Sequence, residues 1–219
     1  MTGVPLQAPP VVLSAPSGAG KTTIARALVR REEDFAFSVS VTTRTRRRGE
    51  EGGRDYWFVS ESEFRTMAAR GDLAEWAVVH GELYGTPREG LIRAAEAGRH
   101  VILDIDVQGA RQIREAVPEA LLLFILPPSV EELFRRLSAR GTETEETLRR
   151  RLNTALGELT AADDFDFFVI NDDLEQAIDE VRALARTGRP PPGGCSGTLE
   201  DARRLRKGVE ALLRQDRLL

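Results

Sequence analysis

Cysteine is almost missing from this chain: Cys195 is the only one. A lone thiol makes no internal disulfide, which fits a reducing compartment. With only His80 and His100 beside it, a structural zinc site is excluded. Long apolar runs are lacking too: the longest, residues 120–126, is far too short for a membrane span. The opening MTGVPLQAPP has neither the basic start nor the apolar stretch of a secretory signal. Together these absences predict a cytoplasmic protein with no membrane partner. Lysine is the last scarcity: among 31 basic residues only Lys21 and Lys207 are lysines, against 29 arginines. A chain that writes arginine by habit draws attention to each lysine it keeps.

What is present suits a folded protein. The 219 residues allow one or two domains, and 41% hydrophobic with 30% charged side chains excludes disorder as the main state. A net charge of -4 argues against a dedicated nucleic-acid binder, so no stable nucleic-acid partner is expected.

Apolar runs at 11–13, 101–105, 121–126 and 167–170 read as buried strands. Each is followed by a helical period, at 21–31, 107–116, 129–140 and 174–186. Strand and helix in alternation predict an α/β fold with a parallel sheet core flanked by helices. Residues 38–92 break that rhythm with short β-like segments, SVSVTT, YWFVS and LAEWAVV, and one helix over 61–69; they read as a small mixed insertion. Residues 142–162 open on Thr142-x-x-Glu145, a capping-box pattern, and read as a surface helix able to act as a lid. The run from Arg189 through Pro192 to Gly194 reads as a linker. Beyond it, Leu199, Ala202, Leu205, Val209, Leu212 and Leu213 form an amphipathic stripe, whose default expectation is packing on the protein's own core.

Ser14 to Thr22, SAPSGAGKT, lies between a predicted strand and a predicted helix, the context a phosphate-binding loop requires. Ala15, Pro16, Ser17, Gly18, Ala19 and Gly20 supply the loop, whose glycines let backbone N–H groups turn toward phosphate oxygens. Lys21 would reach the terminal phosphates, Thr22 would hold Mg²⁺ through its hydroxyl, and Thr23 follows. Ala15 replaces the usual first glycine, and the bland alternative is a glycine-rich turn without ligand. The surviving lysine favours the phosphate loop, because a slender ammonium fits there and a guanidinium fork does not.

Asp104 and Asp106 close the run VILDID at the carboxyl edge of its strand, where open α/β sheets bind ligands. An acid there commonly holds the waters of a metal; capping the next helix is the alternative. Arg44, Arg46, Arg47 and Arg48 cluster near Ser40, with Tyr56 and Tyr84 further on, a set suited to a phosphate dianion. A solvated charge run or an RNA patch is the other reading. Glu75 lies within an apolar strand; a carboxylate can accept from the adjacent N–H donors of guanine, but on its own the position reads as solvent-facing.

The segments SAPSGAGKTT, FSVSVTTRTRRRGEEGGRDYWFVS, EWAVVHGELYGT, ILDIDVQGARQI, ILPPS and RGTETEETLRRRL, in that order, resemble the guanylate kinases over residues 9–188. The resemblance implies a P-loop kinase with a GMP-binding insertion over 38–92, a helical lid over 129–165 and a C-terminal extension over 189–219. It implies transfer of the ATP γ-phosphoryl group to GMP, with Mg²⁺ as cofactor and dGMP as a further acceptor. By the same likeness Ser40, Glu75, Thr86 and Asp106 read the guanine, and Arg44, Arg47, Tyr56 and Tyr84 hold the GMP phosphate with Glu50 nearby. Asp104 matches the Mg-associated acid through water; Arg136, Arg140 and Arg151 match the lid arginines, and Asn171 falls near the adenine. Val41, Leu83 and Arg46 depart from the family pattern.

The acceptor is already an anion, so the expected catalysis is positioning and charge neutralisation in a site dried by closure. Two rivals remain at this point: a guanylate-kinase-like interaction module without catalysis, and a sister kinase with another acceptor. The sequence leaves open monomer or homo-oligomer.

Overall fold

The computed structural model describes residues 8–79, 81–138 and 144–215. Internal contacts divide the chain into two units: one holds the chain up to Val12 with Val29–Ala120, the other Leu13–Leu28 with Leu121 onward.

In the first unit, β1 (Val11–Ser14) begins, and β2 (Phe35–Phe37), β3 (Val41–Thr42), β4 (Trp57–Phe58), α2 (Glu61–Arg70), β5 (Leu73–Val79), β6 (Glu82–Pro87), α3 (Arg88–Glu96), β7 (His100–Asp104) and α4 (Val107–Ala116) follow. A capping box at Ser60 and Glu63 starts α2, and Gly71 ends it in the left-handed region at φ 73°. Between those stops α2 presents Phe64 to Val41, Leu73 and Leu83, a small core of its own. The strands expected from SVSVTT and YWFVS shrink to the pairs in β3 and β4. β2, β6 and α3 were not foreseen. Three residues carry no readable period, and α3 begins at Pro87 with no side-chain cap to announce it. β2 runs parallel to β7, with Phe35 opposite His100 and the rings stacked at 5.2 Å.

The second unit takes the end of β1, then α1 (Lys21–Arg31), β8 (Leu121–Leu126), α5 (Val130–Ser138), α6 (Glu145–Thr160), β9 (Phe167–Ile170), α7 (Leu174–Thr187) and α8 (Leu199–Leu213). β8 and β9 pair in parallel and occupy the runs that apolarity predicts. The cap of α6 is Thr144, whose hydroxyl accepts the N–H of Thr147; Thr142, the expected cap, lies outside the described residues. Among the described residues the strands form a five-stranded sheet in the order β2-β7-β1-β8-β9 and a four-stranded sheet in the order β4-β3-β6-β5. The fold is a parallel sheet core flanked by helices, as expected. No helix among the described residues is long and apolar enough to cross a membrane.

The tail packs on its own unit. After the Pro/Gly linker, Ser196 accepts the N–H of Ile170 and Gly197 bridges to Phe168, tying the chain to the β9 edge. α8 then buries Ala202, Leu205 and Val209 and packs against α6, with about 2 kcal/mol for each larger side chain. Arg149 of α6 donates to the carbonyls of Leu213 and Gln215 at 3.2 and 2.6 Å, which satisfies the open carbonyl end of α8. Gly208 lets α8 approach α5: a Cβ there would meet Val130 Cγ2 at 2.3 Å. Val130 is β-branched and turns aside poorly. Gly208→Ala is therefore expected to lower stability by about 1–3 kcal/mol, although alanine is the better helix former. A thermal melt above that of the parent would show that the two helices have room.

Candidate active site

In the second unit the loop from Ala15 to Gly20 closes on itself, the Ala19 N–H donating to the Pro16 carbonyl at 3.0 Å. Gly18 and Gly20 sit at φ 89° and 94°, conformations that side chains rarely adopt, so here the glycines are required by the backbone. Gly20 is also tight, since a Cβ would lie 2.4 Å from the Asn171 amide nitrogen. Lys21 and Thr22 open α1, so the loop delivers its residues to a helix N-terminus, the positive end of the helix dipole.

Two of the residues expected around that loop bond to it, and a third braces the helix that carries one of them. Asn171 donates to the Ala19 carbonyl at 2.7 Å. Arg136 donates to the carbonyls of Ala19 at 3.3 Å and Asn171 at 3.0 Å, steered from below by Glu132 at 2.6 Å. The arginines at 135 and 136 hold the Glu132 carboxyl down at about 2, so it stays ionised. Arg151 bonds the Leu137 carbonyl, on the α5 helix that carries Arg136. Arg140 lies outside the described residues. One participant was unforeseen: Glu158 of α6 accepts the Ser17 N–H at 2.8 Å and braces the loop. An acid on an amphipathic surface helix carries no signal of such a task in sequence.

In the first unit the arginine run divides. Arg44 is packed and held on every side: its Nε donates to the Tyr84 hydroxyl at 3.1 Å, one terminal nitrogen to Glu50 at 2.8 Å, and the other to the Thr45 carbonyl at 2.7 Å. Its guanidinium lies over the Tyr56 ring at 5.3 Å. The Glu50 hydrogen bond raises the Arg44 pKa, and Arg44 in turn holds Glu50 below the usual carboxylate range. Glu50 also accepts the Arg47 N–H at 2.8 Å, which folds the loop. The side chains of Arg46, Arg47 and Arg48 are exposed. The arrangement fixes one half-buried cation with two tyrosines beside it, where the spacing alone offered four equivalent arginines.

Glu75 overturns the solvent-facing reading: it is 4% exposed. The register shifts between Leu73 and Glu75, a bulge that sets Glu75 opposite Thr86. From Glu75 onward the strand alternation is kept: Glu75 and Ala77 are buried, while Trp76 and Val78 are exposed. The Thr86 hydroxyl donates to Glu75 Oε1 at 2.6 Å. Burial, and after it the neighbouring Asp106 charge, push the Glu75 carboxyl up to about 7 against the opposing pull of Thr86. Asp106 caps α4, accepting the Gly109 N–H at 2.8 Å, so the capping alternative describes its geometry. Ser40 is buried, its carbonyl taking the Trp57 N–H at 2.8 Å, and Asp104 ends β7.

The chain is similar to known proteins of one family over most of its length. A family model described as guanylate kinase matches residues 7–187. The chain is 50% identical over 175 residues to a guanylate kinase of Dechloromonas aromatica, covering 80% of this chain and 87% of that one. It is 53% identical over 182 residues to a guanylate kinase of Oleidesulfovibrio alaskensis, covering 82% and 88%. Among solved structures, the guanylate kinase of Anaplasma phagocytophilum superposes with a TM-score of 0.69 at 36% identity, covering 83% of this chain and 86% of that one.

Proposed function

The chain belongs to the guanylate kinase family, an enzyme phosphorylating GMP with ATP, and on that premise we propose which of its residues carry the transfer. Residues 9–188 form the kinase, 38–92 its GMP-binding part, 129–165 its lid and 189–219 an extension. The loop from Ala15 to Thr23 holds the ATP phosphates, with Lys21 on the terminal ones and Asn171 toward the adenine. Ser40, Glu75, Thr86 and Asp106 read the guanine. Arg44, Arg47, Tyr56 and Tyr84 hold the GMP phosphate, with Glu50 orienting Arg44. Among the lid arginines, Arg136 supports this reading most directly, because it already bonds the phosphate loop.

The observation that carries the proposal is the buried Glu75 carboxyl. A carboxylate offers two acceptor oxygens and no donor. Guanine presents two neighbouring donors, its N1–H and its 2-amino group, and adenine presents none in that place. Burial makes the match matter, since an acid facing a base that cannot donate is left desolvated and unpaired.

Lys21 and the arginines neutralise charge on the phosphoryl group as it passes in line, and no strong general base is needed for an acceptor that is already anionic. The donors available to Mg²⁺ are hard oxygens, the Thr22 hydroxyl at the start of α1 and the Asp104 carboxylate through water, which suits that ion. When bound with ATP the ion supplies charge neutralisation on the phosphates. A cytoplasmic location fits the lone cysteine and these substrates.

An intact Gly-Lys-Thr loop separates this reading from a catalytically silent interaction module. An acceptor panel of GMP, dGMP, AMP, dTMP and ribose bisphosphate, with ATP and Mg²⁺, tests it. GMP and dGMP are expected as acceptors, with AMP about 10²-fold or more poorer in kcat/KM. Comparable rates with AMP would refute the guanine-reading role.

A further inference from the structure

Gly109 is the third residue of α4, in helical conformation, so its backbone does not require glycine. Alanine at such a place ordinarily stabilises a helix. The reason for glycine lies across the packing of α4 on β5. A Cβ at position 109 would stand 2.5 Å from Glu75 Oε2 and 3.0 Å from its carboxyl carbon. Ile105 Cδ1, at 3.3 Å, is the end of a flexible side chain and can give way. The Glu75 carboxyl cannot give way without loss, because its other oxygen is bonded to Thr86 at 2.6 Å. The carboxyl is thus seated between a hydroxyl on β6 and the bare backbone of α4. Gly157 in α6 is the contrasting case: a Cβ there would meet nothing within 4 Å.

We propose that Gly109 is a specificity-determining positioning residue, whose missing side chain sets the depth at which Glu75 presents both carboxyl oxygens to the acceptor base. This rests on the reading of Glu75 as the guanine reader. A methyl group at 109 pushes Oε2 aside, or breaks Oε1 from Thr86, and either movement spoils the two-point match to N1–H and the 2-amino group. IMP, which keeps N1–H and lacks the 2-amino group, has less to lose. Gly109→Ala therefore narrows the preference for GMP over IMP rather than slowing both alike.

The test combines kinetics with melts on the full chain. In Gly109→Ala the ratio of kcat/KM for GMP over IMP is expected to fall about tenfold or more. A merely structural role lowers both values by one factor and leaves the ratio intact. In melts, Gly109→Ala is expected to lower Tm in the parent background and raise it in Glu75→Ala, where the clash partner is gone. Gly157→Ala, with open space, is expected to raise Tm in the parent and serves as the control. Should Gly109→Ala fail to fold, the double variant decides: a Tm above that of Glu75→Ala supports the proposal, and one below it overturns the proposal. An unchanged ratio in Gly109→Ala, with the ratio collapsed in Glu75→Ala, overturns the proposal alone. An unchanged ratio in Glu75→Ala overturns the guanine reading and the proposal with it.

Discussion

Lys21→Ala lowers kcat by about 10²–10³-fold, the loss seen when one preorganised charge donor is removed from a transition state, while the melting temperature stays within a few degrees. The two halves of that expectation have separate causes. The loop takes its shape from contacts other than the lysine: Ala19 N–H on Pro16, Ser17 N–H on Glu158, and Asn171 and Arg136 on the Ala19 carbonyl. The positive φ angles at Gly18 and Gly20 do not depend on position 21 either. What alanine removes is the ammonium at the first residue of α1, which on the proposed reading serves the ATP phosphates together with the helix N-terminus. Arginine does not substitute. A planar, delocalised fork does not take the place of a compact point charge, so Lys21→Arg is expected to resemble alanine more than lysine. Steady-state turnover with GMP and ATP, alongside a melt, measures both halves. Near-normal kcat in Lys21→Ala would sink the assignment of the phosphate loop.

How much of this was legible in the sequence depends on the range of the interaction that fixes each part. The phosphate loop and α1 are local: strand, glycines, lysine and helix follow one another within about 20 residues, so composition and order suffice. β8, β9 and α4 were legible for a similar reason, since an unbroken apolar run or a clean helical period names its own environment. β6 and the seating of Glu75 were not. Glu75 is buried on the face it shares with Leu73 and Ala77, and what covers that face, Thr86 of β6 and Gly109 of α4, belongs to other elements. Read alone, the one charged residue of LAEWAVV is assigned to solvent, whereas Trp76 and Val78 are the exposed ones. The division of labour among Arg44, Arg46, Arg47 and Arg48 was equally hidden. Only the approach of Tyr84, 40 residues away, and the return of Glu50 single out Arg44. Gly109 and Glu158 carry no local mark at all, because each answers to a neighbour on another element. The resemblance to the guanylate kinases supplied several of these positions by matching, and the physical reason for them appears only in three dimensions.

Glu75→Gln brings a loss of function and a gain of stability in one substitution. The Glu75 carboxyl titrates near 7 in the folded chain against 4.5 as its ordinary value. A raised acid is held in its protonated form. Its stabilising contribution is complete below pH 4.5 and disappears as pH rises through 7, a difference on the order of 3 kcal/mol. Glutamine keeps an acceptor for Thr86 and carries no charge, so it escapes that loss. The variant is expected to melt above the parent at pH 8, with the gap closing toward pH 5. Function moves the other way. The amide offers guanine one acceptor and one clashing donor where two acceptors were wanted, and kcat/KM for GMP falls about 10²-fold or more. The same titration predicts that the parent's KM for GMP rises as pH falls below 7, approaching tenfold per unit, because guanine selects the ionised acid. The phosphate of GMP also takes up a proton in this range. Glu75→Gln shares that background and lacks the carboxyl, so the pH profile of the parent divided by that of the variant isolates Glu75. A flat quotient between pH 5.5 and 8, or a variant less stable than the parent at pH 8, would contradict a buried acid kept ready for guanine at a cost to the fold.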